Sequence, residues 1–281
     1  MAKKFCRFLS VFMVVVFAFS SFSAAAVEDK PNYVVLGDSI AFGAGLINAP
    51  QAVYGRIVAD TLGFDYQNFA VPGHTTGNLM SRMKTARVRR AIEEADFISI
   101  SIGGNNFLTD NLAMILYDGI VKNDLTRIEK ILKGFIVDLD EIMTRIHAMN
   151  PNAVILLQTI YNPQTGFAGR VYGEGAAMLN SVIVDCAQKD DKVLLVDVGA
   201  RLNDSENDFA RDRIHPSAAG NEKIAGAVLE TLYQNGFGAK TQPVINTKGI
   251  DMIGTDGLGY AILIYCTLLH EFAPILINLP L

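Results

Sequence analysis

The chain has 281 residues, half of them hydrophobic and 19% charged, with a formal net charge of −5. It is too apolar for a disordered chain and too often interrupted by charge for a polytopic membrane protein. No basic stripe interleaved with aromatic residues runs through it, which argues against nucleic acid as a partner. Residues 1–26 read as a secretory signal peptide. Lys3, Lys4 and Arg7 form a positive start, Phe8 to Phe22 carries no charge, and Ala24-Ala25-Ala26 supplies the small residues of a cleavage site. Cys6 precedes the apolar run and is badly placed for a lipid anchor. Without this segment 21 cationic residues face 29 anionic ones, a balance of −8. A secreted, acidic, soluble protein is expected.

The rest alternates short apolar runs with amphipathic stretches. Asn32–Gly37, Phe64–Val71, Phe97–Ile102, Ala153–Thr159 and Val193–Val198 read as strands, continuous and β-rich as in sheets covered on both faces. Residues 51–62, 125–149, 174–188 and 217–234 read as helices. The clearest, 125–149, repeats apolar residues from Leu125 to Ile146 every three or four positions and stops at Asn150-Pro151. Such alternation implies an α/β fold: a flavodoxin-like three-layer α/β/α sandwich with a five-stranded parallel sheet. The strand order 2-1-3-4-5 follows by analogy with other doubly wound sheets. The domain is expected over 27–237, with 238–281 as an apolar C-terminal tail. Between Gly257 and Leu281 the one charged residue is Glu271, beside His270. The apolar run Gly257–Leu269 is shorter than the roughly 20 residues of a spanning helix, and Pro274 and Pro280 interrupt the remaining residues. A buried or interfacial segment is expected, with weak contact to a lipid surface or a second copy as the open alternative. Cys186 and Cys266 remain after cleavage. The sequence does not decide whether they are bridged, and two unpaired thiols is the simpler reading, since Cys186 sits in a core-like helical pattern.

In parallel α/β sheets, ligands bind outside the carboxyl ends of the strands. Four segments there carry chemistry. After the first strand stand Gly37-Asp38-Ser39-Ile40, and after the second, Asn68 to Gly73. Gly103-Gly104-Asn105-Asn106 follow the third, and Asp212-Arg213-Ile214-His215 precede the last helix. Ser39 opens a helix and is a candidate nucleophile. His215 has a loop carboxylate three residues before it. Asp212 at that spacing can accept the Nδ1 proton and leave Nε2 toward the serine. Backbone N–H groups of Ser39 and Gly73 and the Asn105 amide are candidate donors to a tetrahedral oxyanion. Asp38 reads as structural, bonding local backbone groups at the turn. His74 lines the cleft or is a plain loop histidine, and His147 sits at a helix C-terminus where a surface cation is favoured.

This four-part pattern resembles the SGNH, or GDSL-type, hydrolase family over residues 32 to about 234. The resemblance implies Ser39, Asp212 and His215 as catalytic residues, with Ser39, Gly73 and Asn105 as the oxyanion hole. It implies a serine esterase or lipase that works through an acyl-enzyme on an ester substrate. Two positions depart from the pattern. Ile40 replaces the usual leucine, a volume-conserving change, and Asn106 replaces the aspartate that usually follows the third-block asparagine. No cofactor is expected. Neither a His-Glu-x-x-His nor a Cys-x-x-Cys motif is present to hold a metal, and no Gly-x-Gly-x-x-Gly follows the first strand. Lipid-like or small acyl esters are favoured as substrates, because the chain lacks the tryptophan that a polysaccharide site would use. A carbohydrate O-acetylesterase and a non-catalytic secreted module on the same fold stay open. Residues 107–124 read equally well as an acyl-pocket lining or as a helix buried on the sheet.

Overall fold

The computed structural model describes residues 30–108, 114–115, 117–118, 122, 124–204 and 206–246, and its main compact unit starts at Pro31. The signal-peptide segment lies outside the described residues. So do the apolar run of the tail, with Cys266, His270 and Glu271, and most of 107–124. One sheet is built from β1 (Asn32–Gly37), β2 (Asp65–Asn68), β3 (Phe97–Ser101), β4 (Val154–Gln158) and β5 (Val193–Val196). Its order is β2-β1-β3-β4-β5 and every neighbouring pair is parallel. That is the expected flavodoxin-like arrangement. The described helices are α1 (Ser39–Phe42), α2 (Ala49–Ala52), α3 (Tyr54–Leu62), α4 (Thr76–Met83), α5 (Ala86–Glu93), α6 (Gly104–Leu108), α7 (Thr126–Met149), α8 (Gly166–Gln188) and α9 (Ala218–Gln234).

Every residue of β3 and β4 is buried, which is why these strands read as unbroken apolar runs. Their side chains alternate between two cores. Leu36, Ile98, Ile100, Ile155 and Leu157 join one face with α4, α5, α7 and α8. Tyr33, Val35, Phe97, Leu156 and Val196 join the other with α3 and α9. Truncating a fully buried central residue such as Ile100 to alanine costs about 2–5 kcal/mol, so the strand ends that carry the site rest on a rigid base.

Three differences from the expected elements have physical causes. β2 is an edge strand with Asp65 and Gln67 exposed, and it ends at Asn68. The N–H groups of Phe69 and Val71 still donate to the carbonyls of Val35 and Gly37, at 2.8 and 3.0 Å. α8 starts well before residue 174, because Gly166, Gly169 and Gly173 offer no side chain from which a periodicity could be read. α4 and α5 are short, α4 with polar residues and a glycine and α5 with three arginines, so their apolar stripe is thin. The start of α4 is marked by a capping box: Thr75 Oγ1 accepts from the Asn78 N–H while Asn78 Oδ1 accepts from the Thr75 N–H. At the other end of the described chain, Val244 N–H donates to Thr61 Oγ1 and Asn246 Nδ2 to Asp60 Oδ2, both at 2.9 Å. Residues 244–246 are thereby fixed to α3.

Candidate active site

The chain leaves β1 at the point where the strand order reverses, with β2 on one side and β3 on the other. Gly37 shapes this exit. Its φ is +139°, and a Cβ there would stand 2.0 Å from the Ser101 carbonyl oxygen. With no side chain between them, the ends of β1 and β3 close up, and Asp38 N–H donates to the same Ser101 carbonyl at 3.1 Å. Asp38 then caps α1: its backbone is extended and its Oδ1 accepts from the Ile40 N–H at 3.0 Å. Ser39 is the first residue of α1 and is buried. Gly43 ends the helix in the left-handed region. Gly45, two residues on, passes so close to the base that a Cβ would lie 3.0 Å from the His215 Cβ. The segment that follows the candidate nucleophile therefore rests on the candidate base.

Asp212 and His215 are both almost wholly buried. His215 Nδ1 lies 2.6 Å from Asp212 Oδ2. A carboxylate only accepts, so this nitrogen carries the proton and Nε2 is the acceptor end of the neutral ring. Asp212 Oδ1 accepts the N–H groups of both Ile214 and His215, each at 3.0 Å. Burial pushes the Asp212 carboxyl up. The His215 side chain and these two amides outweigh it and hold the group below the usual carboxylate range. The loop closes on itself: Ala210 N–H donates to the His215 carbonyl at 2.8 Å and Ser217 N–H to the Asp208 carbonyl at 2.9 Å. Ser217 then caps α9 through the Gly220 N–H.

Gly73 sits at φ +80° in a turn closed by His74 N–H donating to the Val71 carbonyl at 3.2 Å. Asn105, buried in α6, donates its Nδ2 to the His74 carbonyl at 3.0 Å. The second and third blocks are joined by this bond, which also fixes the plane of the Asn105 amide. Asn106 has a separate task. Its Nδ2 donates to Thr76 Oγ1 at 2.7 Å and its Oδ1 accepts the Thr76 N–H at 3.2 Å. Thr76 in turn gives its hydroxyl proton to Asp138 on α7. A carboxylate at 106 could not donate to a threonine oxygen whose own proton is already committed. Asparagine is thus what this three-residue chain requires. Thr76 and Asp138 support the site without any local motif to mark them, since 62 residues separate them.

A pocket of about 50 Å³ opens beside these groups. Asp38, Ile40, Asn105, Gln158, Tyr161 and Ile214 are among the residues that line it. Residues from the first, third and last blocks therefore share one wall. Burial pushes the Asp38 carboxyl up to about 7, against the Ile40 amide and the nearby His215, which lower it. As expected for a structural residue, Asp38 binds local backbone. His147 pairs with Asp190 at 2.5 Å at the far end of α7. Cys186 is a buried thiol, and burial raises it to about 11.

Comparison with known proteins decides the family. The model of the GDSL-like lipase/acylhydrolase family matches residues 35–223. The chain belongs to that family. Its members are ester-hydrolysing serine hydrolases, and so is this protein. The uncharacterized protein YpmR of Bacillus subtilis is 26% identical over 229 residues, spanning 75% of this chain and 85% of YpmR. Among solved structures, a lipase from a goat rumen metagenome is 20% identical and superposes with a TM-score of 0.60, over 74% of this chain and 99% of its own. Axe2, an acetylxylan esterase from Geobacillus stearothermophilus, is 19% identical with a TM-score of 0.52, over 77% and 100%. At such identities these two structures share the GDSL-type fold with this chain.

Proposed function

We propose that this GDSL-type hydrolase is a secreted esterase that removes short acyl groups, with Ser39 as nucleophile. Ser39 Oγ attacks the ester carbonyl while His215 Nε2 takes its proton. Asp212 holds the Nδ1 proton and stabilises the imidazolium that forms. The N–H groups of Ser39 and Gly73 and the Asn105 amide receive the developing oxyanion. His215 then protonates the departing alcohol, and water releases the acyl group by the same route in reverse.

The observation that carries this reading is the buried Asp212–His215 pair, together with one small pocket that Asp38 and Ile40 of the first block, Asn105 of the third and Ile214 of the last all line. Acyl size follows from that pocket. About 50 Å³ has room for a few heavy atoms. Its wall mixes the polar Asp38 and Gln158 with apolar side chains such as Ile40, Leu108 and Val198, so size and not polarity sets the limits on the acyl group. Acetyl and propionyl groups fit these limits and fatty acyl chains do not. Acetylated carbohydrate is the favoured second reading for the same reason, and Axe2 shows that the fold serves such an ester. The charge-free run before Ala24-Ala25-Ala26 supports export. A wholly non-catalytic module is disfavoured because Ser39, Gly73, Asn105, Asp212 and His215 are all present.

A series of chromogenic esters from acetate to palmitate, run beside acetate release from acetylated xylan, tests this. The rate should peak at acetate or propionate and collapse beyond butyrate. A peak at octanoate or longer would assign the protein to lipids.

A further inference from the structure

The loop that carries the base contains an unfavourable residue. Arg213, between Asp212 and His215, has φ +55°, the one positive φ outside glycine among the described residues. Such a conformation is disfavoured for an L-residue, so the loop must be held from outside to keep it. Asp212 secures the N–H side of the turn from within, through Ile214 and His215. The carbonyl side is secured from elsewhere. Gln164 Nε2 donates to the Arg213 carbonyl at 3.0 Å, and the Tyr161 hydroxyl donates to the Ile214 carbonyl at 2.8 Å. Both side chains come from the segment between β4 and α8.

That segment is itself fastened. Asn162 Oδ1 accepts the Gln164 N–H at 3.1 Å, and Asn162 Nδ2 donates to the Gly169 carbonyl at 2.7 Å. Gly169 passes so near that a Cβ on it would lie 2.6 Å from the Gln164 carbonyl oxygen. The Tyr161 ring is buried and packs at 5.3 Å from Phe209, at the start of the acid–base loop. Tyr161 also lines the pocket beside Asp38 and Asn105.

We propose that Tyr161 and Gln164 are positioning residues: they strap the two peptides before His215 and so hold its imidazole where it can take the serine proton. This rests on the serine-esterase reading above. The strap acts through His215: although Tyr161 lines the pocket, the hydroxyl that straps the loop is committed to the Ile214 carbonyl. Its loss therefore lowers the chance that the ring is in place and leaves ester binding alone.

The test compares Tyr161→Phe, which removes one hydroxyl, with Gln164→Ala, each made in the wild type and in a His215→Ala background. With p-nitrophenyl acetate, Tyr161→Phe should lower kcat about tenfold with KM unchanged, and Gln164→Ala should lower it about two- to threefold. Labelling by a fluorophosphonate should slow by the same factors. In the His215→Ala background neither change should reduce the residual rate further. If Tyr161→Phe fails to fold, the Gln164→Ala result decides alone. A wild-type protein that neither hydrolyses nor labels overturns the esterase reading itself. Three results overturn the strap alone: wild-type kcat in both variants, a rise confined to KM, or an equal loss without His215.

Discussion

The turn that carries Ser39 and the loop that carries His215 are held by different kinds of interaction. The turn is held mainly by backbone, with the Asp38 carboxyl capping α1. Gly37 lets β1 and β3 close up, Asp38 N–H reaches the Ser101 carbonyl, and the strands beneath are fully buried. The loop adds side chains to its own backbone closures: Asp212 from inside, Tyr161 and Gln164 from another segment, and Ser217 at its exit. A support made of backbone is present whenever the sheet is present. A support made of side chains can be removed one atom at a time with the sheet intact. The nucleophile side should therefore fail together with the fold, while the base side should fail by degrees.

The strongest way to break the comparison is to remove the reacting groups. Ser39→Ala should abolish ester hydrolysis and fluorophosphonate labelling while the thermal melt stays in place. His215→Ala should be nearly as damaging, and Asp212→Asn should leave more residual activity, with losses that do not add. A His215→Ala protein keeping more than about a tenth of the wild-type rate would reveal another base. Next in size, Asn105→Ala should lower kcat by about 10²–10³-fold with little change in KM. A donor aimed at the oxyanion serves the transition state and not the bound ester, so an effect confined to KM would recast Asn105 as a substrate-binding residue.

Gly37→Ala tests the backbone support directly. Its methyl would collide with the Ser101 carbonyl, at a φ that alanine resists. We expect a loss of about 3 kcal/mol in urea unfolding, with activity falling alongside stability. Full stability combined with lost activity would show that the turn moves independently of the sheet.

An effect of another kind, on the pH dependence of stability, concerns Asp38. Its carboxyl is raised to about 7 in the folded protein, against roughly 3.9 in an unfolded chain. Between those values the folded state keeps a proton that the unfolded state releases, so stability falls as pH rises from about 4 to about 7. Asp38→Asn should flatten that slope and raise stability at pH 8 by a few kcal/mol, on the scale of ~1.4 kcal/mol per unit. Urea melts from pH 4 to pH 8 check this. Identical slopes in the two proteins would mean that Asp38 is ionised throughout.

The same contrast explains what could be read in advance. β1, β3, β4 and β5 were legible because both of their faces are covered and most positions are apolar or small. Asp212 and His215 were legible because they lie three residues apart and the chemistry requires both. Tyr161 and Gln164 were not, since they sit 53 and 49 residues from the carbonyls they hold and match no motif. Nor was the chain from Asn106 through Thr76 to Asp138, which joins three elements in space. Asn106 stood out as a departure from the family, but its reason is a threonine proton already given away. α4 and α5 escaped because short polar helices with a narrow apolar stripe look like loops.

The Asn221 Oδ1 to Tyr54 N–H bond joins α9 to the start of α3 across 167 residues of chain, at 3.0 Å and fully buried. A polypeptide leaves the ribosome, or a translocation channel, N-terminus first. Ser39 is thus among the earliest parts to emerge, and His215 comes close to the end of the described chain. On the proposed mechanism, until α9 is out and Asn221 has found Tyr54 the growing protein holds the Ser39 hydroxyl with no base to activate it. On that reading, the order of the residues alone makes hydrolytic competence wait until α9 has been made.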